Sequence, residues 1–508
     1  MRIPGRAGRS LRFRGGGLIR FYVWSSVKRR SVRFRRVAGG PCAALAAVLL
    51  VSSCTQGPAV KGAVGAGGVG DPLFPTLGNG GYDVRHYGLD LAYDVAAERL
   101  DATARITAKA TRDLGAFRLD LQGLRVTSVR VDGAPAGFSR KGHKLTVRPA
   151  EGLRKGSTFR TTVAYDGVPE EMTDADGASE GWVRTADGAF VSGEPAGSMT
   201  WFPGNNHPSD KAAYDIRITV PHGYTAVAGG ELRSSVTSEG RTTFVWHSAE
   251  PMATYLATAT IGRFDVHQSR TADGLPLYVA VDPKEAAGSR KALDRLPEVL
   301  AWSRKLFGPY PFASAGAIVD HTPERIDWYA LETQTKPVYA GAPDTSTVVH
   351  ETAHQWFGDS VTPRTWEDAW LNEGFAQYAE WLWEAHEGGR TPQERFDALY
   401  ALEDDDEDEA DGVSYEELWE FPPGDPGSAE NVTGTPVYDR GAMVLQQLRN
   451  AVGERAFFRI LKEWPAAHRH GNADSEEFID FCQERTEVDL TDLFDDWLYG
   501  DGRPDWEY

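Results

Sequence analysis

The sequence predicts a multidomain α+β protein: an antiparallel β domain, then a small sheet joined to a mostly helical lobe. Three observations carry this prediction. From Tyr82 onward apolar and polar residues alternate, and from about Asp344 onward the apolar residues return with helical spacing. The chain has 508 residues, 41% of them hydrophobic, which is enough for two or three domains with cores of their own and excludes a disordered protein.

Residues 1–53 read as a signal peptide. They hold 12 Lys+Arg and no Asp or Glu, and the basic stretch ends in KRRSVRFRR (28–36) ahead of the apolar run CAALAAVLLV (42–51). That run is too short to span a bilayer. It leads into VSSC, with Cys54 behind two small residues, which resembles the lipobox of bacterial lipoproteins. The resemblance implies cleavage before Cys54, diacylation of its thiol, and an exported chain anchored to the membrane at the bacterial cell surface. Free secretion is the alternative, and Arg29-Arg30 raises twin-arginine export as a route. Residues 54–81 are rich in Gly and Ala, show no hydrophobic period, and are expected to form a flexible tether.

Without residues 1–53, 42 basic residues remain against 73 acidic ones, a net charge of −31. So acidic a body argues against nucleic acid as a partner and is read as a source of solubility. Three cysteines are present. Cys42 leaves with the signal, Cys54 takes lipid, and Cys482 in EEFIDFCQER is expected to be a buried small hydrophobe, so no disulfide framework is available.

Residues 82–266 make up the β domain. YGLDLAYDV, ARITAKAT, FRLDLQGL, VTSVRVDG and HKLTVRP alternate between turns rich in Gly, Asp and Pro, and AAYDIRITVP, YTAVAGGEL, TTFVWHSAEP and YLATATIGRFDV extend the series. Residues 267–508 make up the second domain. It opens with a strand at 276–282 and a helix over about Arg290–Phe307, which FGPYPF breaks. AGAIVDH and WYALETQTKPVY then read as strands, and helices follow. The acidic run LEDDDEDEADG (402–412) reads as a solvated helix end or loop.

VVHETAHQWFG (348–358) carries the chemistry. On a helix capped by Asp344 or Thr345 and ended by Gly358, His350 and His354 stand one turn apart on one face, so both imidazoles reach one ion. Glu351 sits at the edge of that face, where it can take a proton from water without ligating the metal. After 18 intervening residues comes Glu373, in the helical WLNEGFAQYAEWLWEA that ends near Gly388. A second helix crossing the first would supply Glu373 as third ligand. Two neutral histidines and one carboxylate leave a fourth position open, the arrangement of a catalytic zinc.

HETAHQWFGDSVTPRTWEDAWLNEGFAQY strongly resembles the zinc aminopeptidases of the aminopeptidase N type, part of the gluzincins, and the likeness extends from about Tyr82 to the end. It implies a saddle-like β domain, in which HYGLDLAYD falls among the opening strands, and a thermolysin-like catalytic domain with FGPYPF as the lead-in to a substrate strand. It implies one Zn2+ per chain on His350, His354 and Glu373, with Glu351 as the base. YALET (329–333) matches the family's Gly-Ala-Met-Glu-Asn strand, so Ala330 and Leu331 would flank the substrate and Glu332 would bind its α-amino group. GEPAGSMTWFP (193–203) carries the family's Glu-Pro, which makes Glu194 a second anchor. VYDRGAMVLQQLR (437–449) resembles a Tyr-x-Lys-Gly helix start, so Tyr438 would stabilise the oxyanion. Two carboxylates at the closed end of a cleft would hold an ammonium ion by charge-assisted hydrogen bonds and fix the register of cleavage.

The expected reaction is therefore removal of the N-terminal residue from peptides with a free N-terminus, by a chain expected to be monomeric. The alternatives are a zinc endopeptidase, an epoxide-type hydrolase with an altered cleft, or an inactive surface binding module. Tyr329 replaces the family's glycine, Thr333 its asparagine and Met199 an arginine, and GNNHPSDKA (204–212) stands for Cys-Phe-Asp-Glu-Pro. These departures are expected to alter the width and preference of the cleft. The resemblance is to a short member without the large C-terminal helical domain, with a more open cleft.

Overall fold

The computed structural model describes residues 62–173, 175, 177–323, 330–403 and 409–505. The signal segment and Cys54 lie outside them, as do Tyr329 and residues 404–408 of the acidic run. No helix among the described residues is long and apolar enough to cross a membrane.

The alternating segments form strands. The largest sheet has eight, in the spatial order Glu231–Ser238, Arg241–Ala253, Lys211–Pro221, Tyr82–Asp94, Arg99–Ala110, Thr158–Gly167, Arg125–Val131 and Ala134–Pro135. Neighbours are antiparallel except Lys211–Pro221 and Tyr82–Asp94, which run parallel with Ile216 opposite Leu89. In Arg99–Ala110 every second residue from Leu100 is buried, because successive side chains leave a strand on opposite faces. A five-stranded sheet of Glu171–Thr173, Ser179–Arg184, Ala189–Ser192, Ala259–Gly262 and Thr225–Ala228 packs in the same region. Its fully buried strand Ala189–Ser192 leads directly to Glu194.

The expected tether is corrected over its described part. Residues 62–81 are folded into the body. Ala63–Val64 pairs in parallel with Leu114–Asp120, and Leu77 is buried against Ala196 and Met199. Asp71 is 1% exposed. Its carboxylate accepts from Trp366 N at 2.8 Å and meets His207 Nε2 at 3.0 Å. Asn79 N donates to Asn205 Oδ1 at 2.6 Å. Most of this grip is polar, so it leaves no hydrophobic period in the segment. Met199 and GNNHPSDKA supply much of it, so these departures hold the N-terminal segment.

The second half carries a sheet in the order Asp265–Arg270, Pro276–Val281, Ala315–Val319, Val338–Tyr339 and Ala330–Leu331. Asp265–Arg270 pairs with Pro276–Val281, Val266 opposite Ala280, so the boundary falls just before Asp265 instead of at Val266. This edge strand is exposed throughout and has no burial pattern to tell which sheet it joins. The single helix expected over Arg290–Phe307 is two, α1 (Ala286–Leu293) and α2 (Leu296–Phe307). Pro297 lies in the first turn of α2, where its missing N–H costs nothing, whereas inside a continuous helix it would clash with the turn before it. One continuous apolar core runs through both halves, with Trp246, Trp356 and Trp370 fully buried in it. Cys482 is part of that core.

Candidate active site

Helix α3 (Thr345–Ala353) begins at Asp344, whose Oδ1 accepts from Thr347 N at 2.8 Å. It ends four residues earlier than Gly358 would place it. His354 is the C-cap, yet its N–H still donates to His350 O at 3.2 Å, so the two rings keep helical spacing. Gly358 adopts φ +127°, and a Cβ there would meet His354 Nδ1 at 3.2 Å. Glycine thus lets the chain turn against the His354 ring.

Helix α4 (Trp370–His386) crosses α3 and carries Glu373 in its first turn. Tyr438 arrives on a π-helical turn, Pro436–Arg440, that continues into Gly441–Val452. This turn comes close because Gly374 of α4 faces Gly441. A Cβ on Gly374 would stand 2.9 Å from the Gly441 backbone. Tyr438 then stacks on His350 with ring centroids 6.1 Å apart.

The three expected ligands converge. His350 Nε2 and His354 Nε2 each lie 3.3 Å from Glu373 Oε2. On the far side of each ring Nδ1 is engaged, with Glu380 Oε1 at 2.8 Å from His350 and Phe357 O at 3.0 Å from His354. These outer partners orient both Nε2 lone pairs toward one point. Burial works against charge on the histidines, but the Glu373 carboxylate outweighs it, lifting His354 to about 9 and His350 well above its usual value, with Glu380 adding to the latter. Burial likewise opposes ionisation of Glu373, yet the two imidazoles hold it below the carboxylate range. The cluster therefore favours positive charge at its centre, and its donor set suits a catalytic zinc.

Glu351 is 5% exposed and its Oε2 has no hydrogen-bond partner among the described residues. Burial pushes it up to about 8, against the pull of His350 and His354. Glu332 follows the edge strand Ala330–Leu331 and is 3% exposed, with Oε1 unpartnered among the described residues. One carboxylate oxygen from each of Glu194, Glu332 and Glu373 lies within 4.8 Å of the others. Burial, then Glu332, raises Glu194 well above its usual value, and burial raises Glu332 too. The Tyr438 hydroxyl is pushed well up by burial, then by Glu373, so it stays a donor. All these groups line one cleft of about 720 Å³, together with Ala330 and Leu331. Of the three described departures expected to shape the cleft, neither Thr333 nor Met199 nor residues 204–212 are among its lining residues.

A model described as the Peptidase M1 N-terminal domain matches residues 84–256, and one described as the Peptidase family M1 domain matches residues 331–497, together more than half of the chain. The chain belongs to peptidase family M1. The M1 zinc metallopeptidase of Deinococcus radiodurans has a solved structure similar to this one, with TM-score 0.77 and 28% identity, covering 87% of this chain and 98% of that one. A mutant of that protein bound to a Tyr-Ser-Ala substrate matches with TM-score 0.78. Mouse glutamyl aminopeptidase is 24% identical over 461 residues, 82% of this chain, and the chain spans 47% of its length. The cofactor of this M1 site is Zn2+.

Sequence reasoning missed two residues here. Glu380, bonded to His350, lies seven residues after Glu373, two turns along the same helix face, and that spacing was the available signal. Gln355 accepts from Thr335 N at 2.8 Å and donates to Glu332 O at 3.4 Å, holding the anchor's turn against α3. Nothing local in the sequence marks it for that role.

Proposed function

We propose that the chain is a zinc aminopeptidase that hydrolyses the N-terminal residue from peptides with a free N-terminus. The observation that carries this reading is the pair Glu194 and Glu332. They line the cleft, each with a carboxylate oxygen within 4.8 Å of one of Glu373, and no basic side chain is paired to either among the described residues. A substrate ammonium would complete them by charge-assisted hydrogen bonds. That contact sets the first peptide bond, and no later one, against the metal ligands.

Bound zinc supplies Lewis acidity to the scissile carbonyl and to water. Glu351 takes the proton from the attacking water and passes it to the leaving amine. Tyr438 donates its hydroxyl proton in a hydrogen bond to the oxyanion. Ala330 and Leu331, on an edge strand, offer backbone groups to an extended peptide.

Glu332→Ala is expected to lower kcat/KM for aminoacyl-anilides by about 10–100-fold, the value of one charge-assisted contact. N-acetylated analogues, which lack the ammonium, should be poor substrates for both proteins and show no further loss. Rapid cleavage of acetylated peptides by the wild type would turn the reading to an endopeptidase.

The second proposal is that the chain is exported and anchored by lipid at Cys54. It rests on the apolar run 42–51 followed by VSSC. Cys54→Ser should move the protein from the membrane fraction to the soluble one. Unchanged membrane association would remove the lipid anchor.

A further inference from the structure

Away from the zinc ligands, three aspartates meet where the two halves of the molecule touch. Asp282 directly follows the strand Pro276–Val281, and Asp320 directly follows Ala315–Val319. These strands are parallel neighbours with Val281 opposite Val319, so the two aspartates sit side by side at the strand ends. Asp187 comes from the β half, in the turn between Ser179–Arg184 and Ala189–Ser192. One carboxylate oxygen from each lies within 4.8 Å of the other two.

Each carboxylate is held by one backbone donor. Arg263 N donates to Asp187 Oδ2 at 3.0 Å, Lys284 N to Asp282 Oδ1 at 2.7 Å, and His321 N to Asp320 Oδ1 at 2.8 Å. The other oxygen of Asp320 is without a hydrogen-bond partner among the described residues, in a residue that is 0% exposed. No Lys or Arg makes an ion pair with any of the three among the described residues. The Arg263 guanidinium lies instead over the Tyr224 ring, 4.9 Å from its centroid. Three like charges this close, two of them buried, need either a cation or protons. Burial, followed by repulsion from Asp187, pushes Asp320 up to about 8.

We propose that Asp187, Asp282 and Asp320 form a binding site for a hard divalent cation, calcium in preference to magnesium, that ties the β domain to the catalytic domain. The donors are oxygen alone, which suits a hard ion and not a second zinc. Calcium is favoured because it accepts irregular oxygen geometry and loses its water readily, whereas magnesium demands an octahedron and keeps its water. The ion would clamp the start of the strand Ala189–Ser192, whose other end leads to Glu194.

The test uses the full chain loaded with one equivalent of zinc and freed of other divalent ions. Calorimetric titration with calcium chloride is expected to show one site with Kd of about 10⁻⁵–10⁻³ M. Saturating calcium should raise Tm by about 2–5 °C, since it binds only the folded chain. Asp320→Asn should lose both signals and keep its zinc. At pH 7 in calcium-free buffer its Tm should stay close to that of the wild type, because Asp320, pushed up to about 8, is already largely protonated there. Asp187→Asn, in a half-buried turn, gives the same test if Asp320→Asn does not fold. A wild type with no calcium heat and no Tm shift overturns the proposal, as does a full calcium response in the folded variants. Tighter binding of magnesium overturns the choice of calcium.

Discussion

Glu351→Gln is expected to cut kcat on aminoacyl-anilides by about 10²–10⁴-fold, the usual worth of a general base. Glutamine keeps the shape of the side chain and removes only its capacity to take a proton. In the metal-free protein burial pushes Glu351 up to about 8 despite His350 and His354 nearby. A cation between those rings pulls it back toward neutrality, where a base is most effective. The three ligand side chains are untouched, so metal analysis of the variant should still give one zinc per chain. Wild-type turnover in this variant would remove Glu351 from the reaction.

Removal of zinc is expected to abolish hydrolysis, and one equivalent of zinc to restore it. The fold should survive. Without the ion, protonated His350 and His354 pair with Glu373, each at 3.3 Å from its Oε2, so no buried charge is left alone. The same pairing fixes the pH dependence. Burial lowers His354, but Glu373 lifts it to about 9, and His350 lies well above its usual value. Zinc needs both rings neutral, so below pH 9 its binding must displace their protons. Affinity therefore falls as pH falls, by about tenfold per unit for each displaced proton. Zinc titrations between pH 6 and 8 check this, and an affinity independent of pH across that range would contradict it.

The parts of the site that were legible in the sequence lie within single helices or match short motifs. His350 and His354 are one helical turn apart whatever surrounds them, and Asp344 caps that helix as its sequence position implies. The strands from Tyr82 were legible because burial on one face imposes a period of two. Residues 62–81 were not legible as folded. Asp71 bonds Trp366, 295 positions away, and Asn79 bonds Asn205, 126 away, and neither contact leaves a local pattern. The break between α1 and α2 was readable in Pro297 but was overridden by the helical spacing around it.

By itself the sequence determined the chemistry available: two imidazoles and a base on one helix, and the carboxylates that match the family's motifs. Spacing along one helix sets distance directly, because each residue advances the backbone by a fixed rise and rotation. Only the tertiary structure decided which carboxylates meet. Glu380 reaches His350 because α4 crosses α3, Tyr438 reaches it because Gly374 and Gly441 let two helices touch, and Asp187 reaches Asp282 and Asp320 because two domains share one core. Such meetings depend on how whole elements pack, and packing is a property of the surfaces they present together, which no single stretch of the chain encodes.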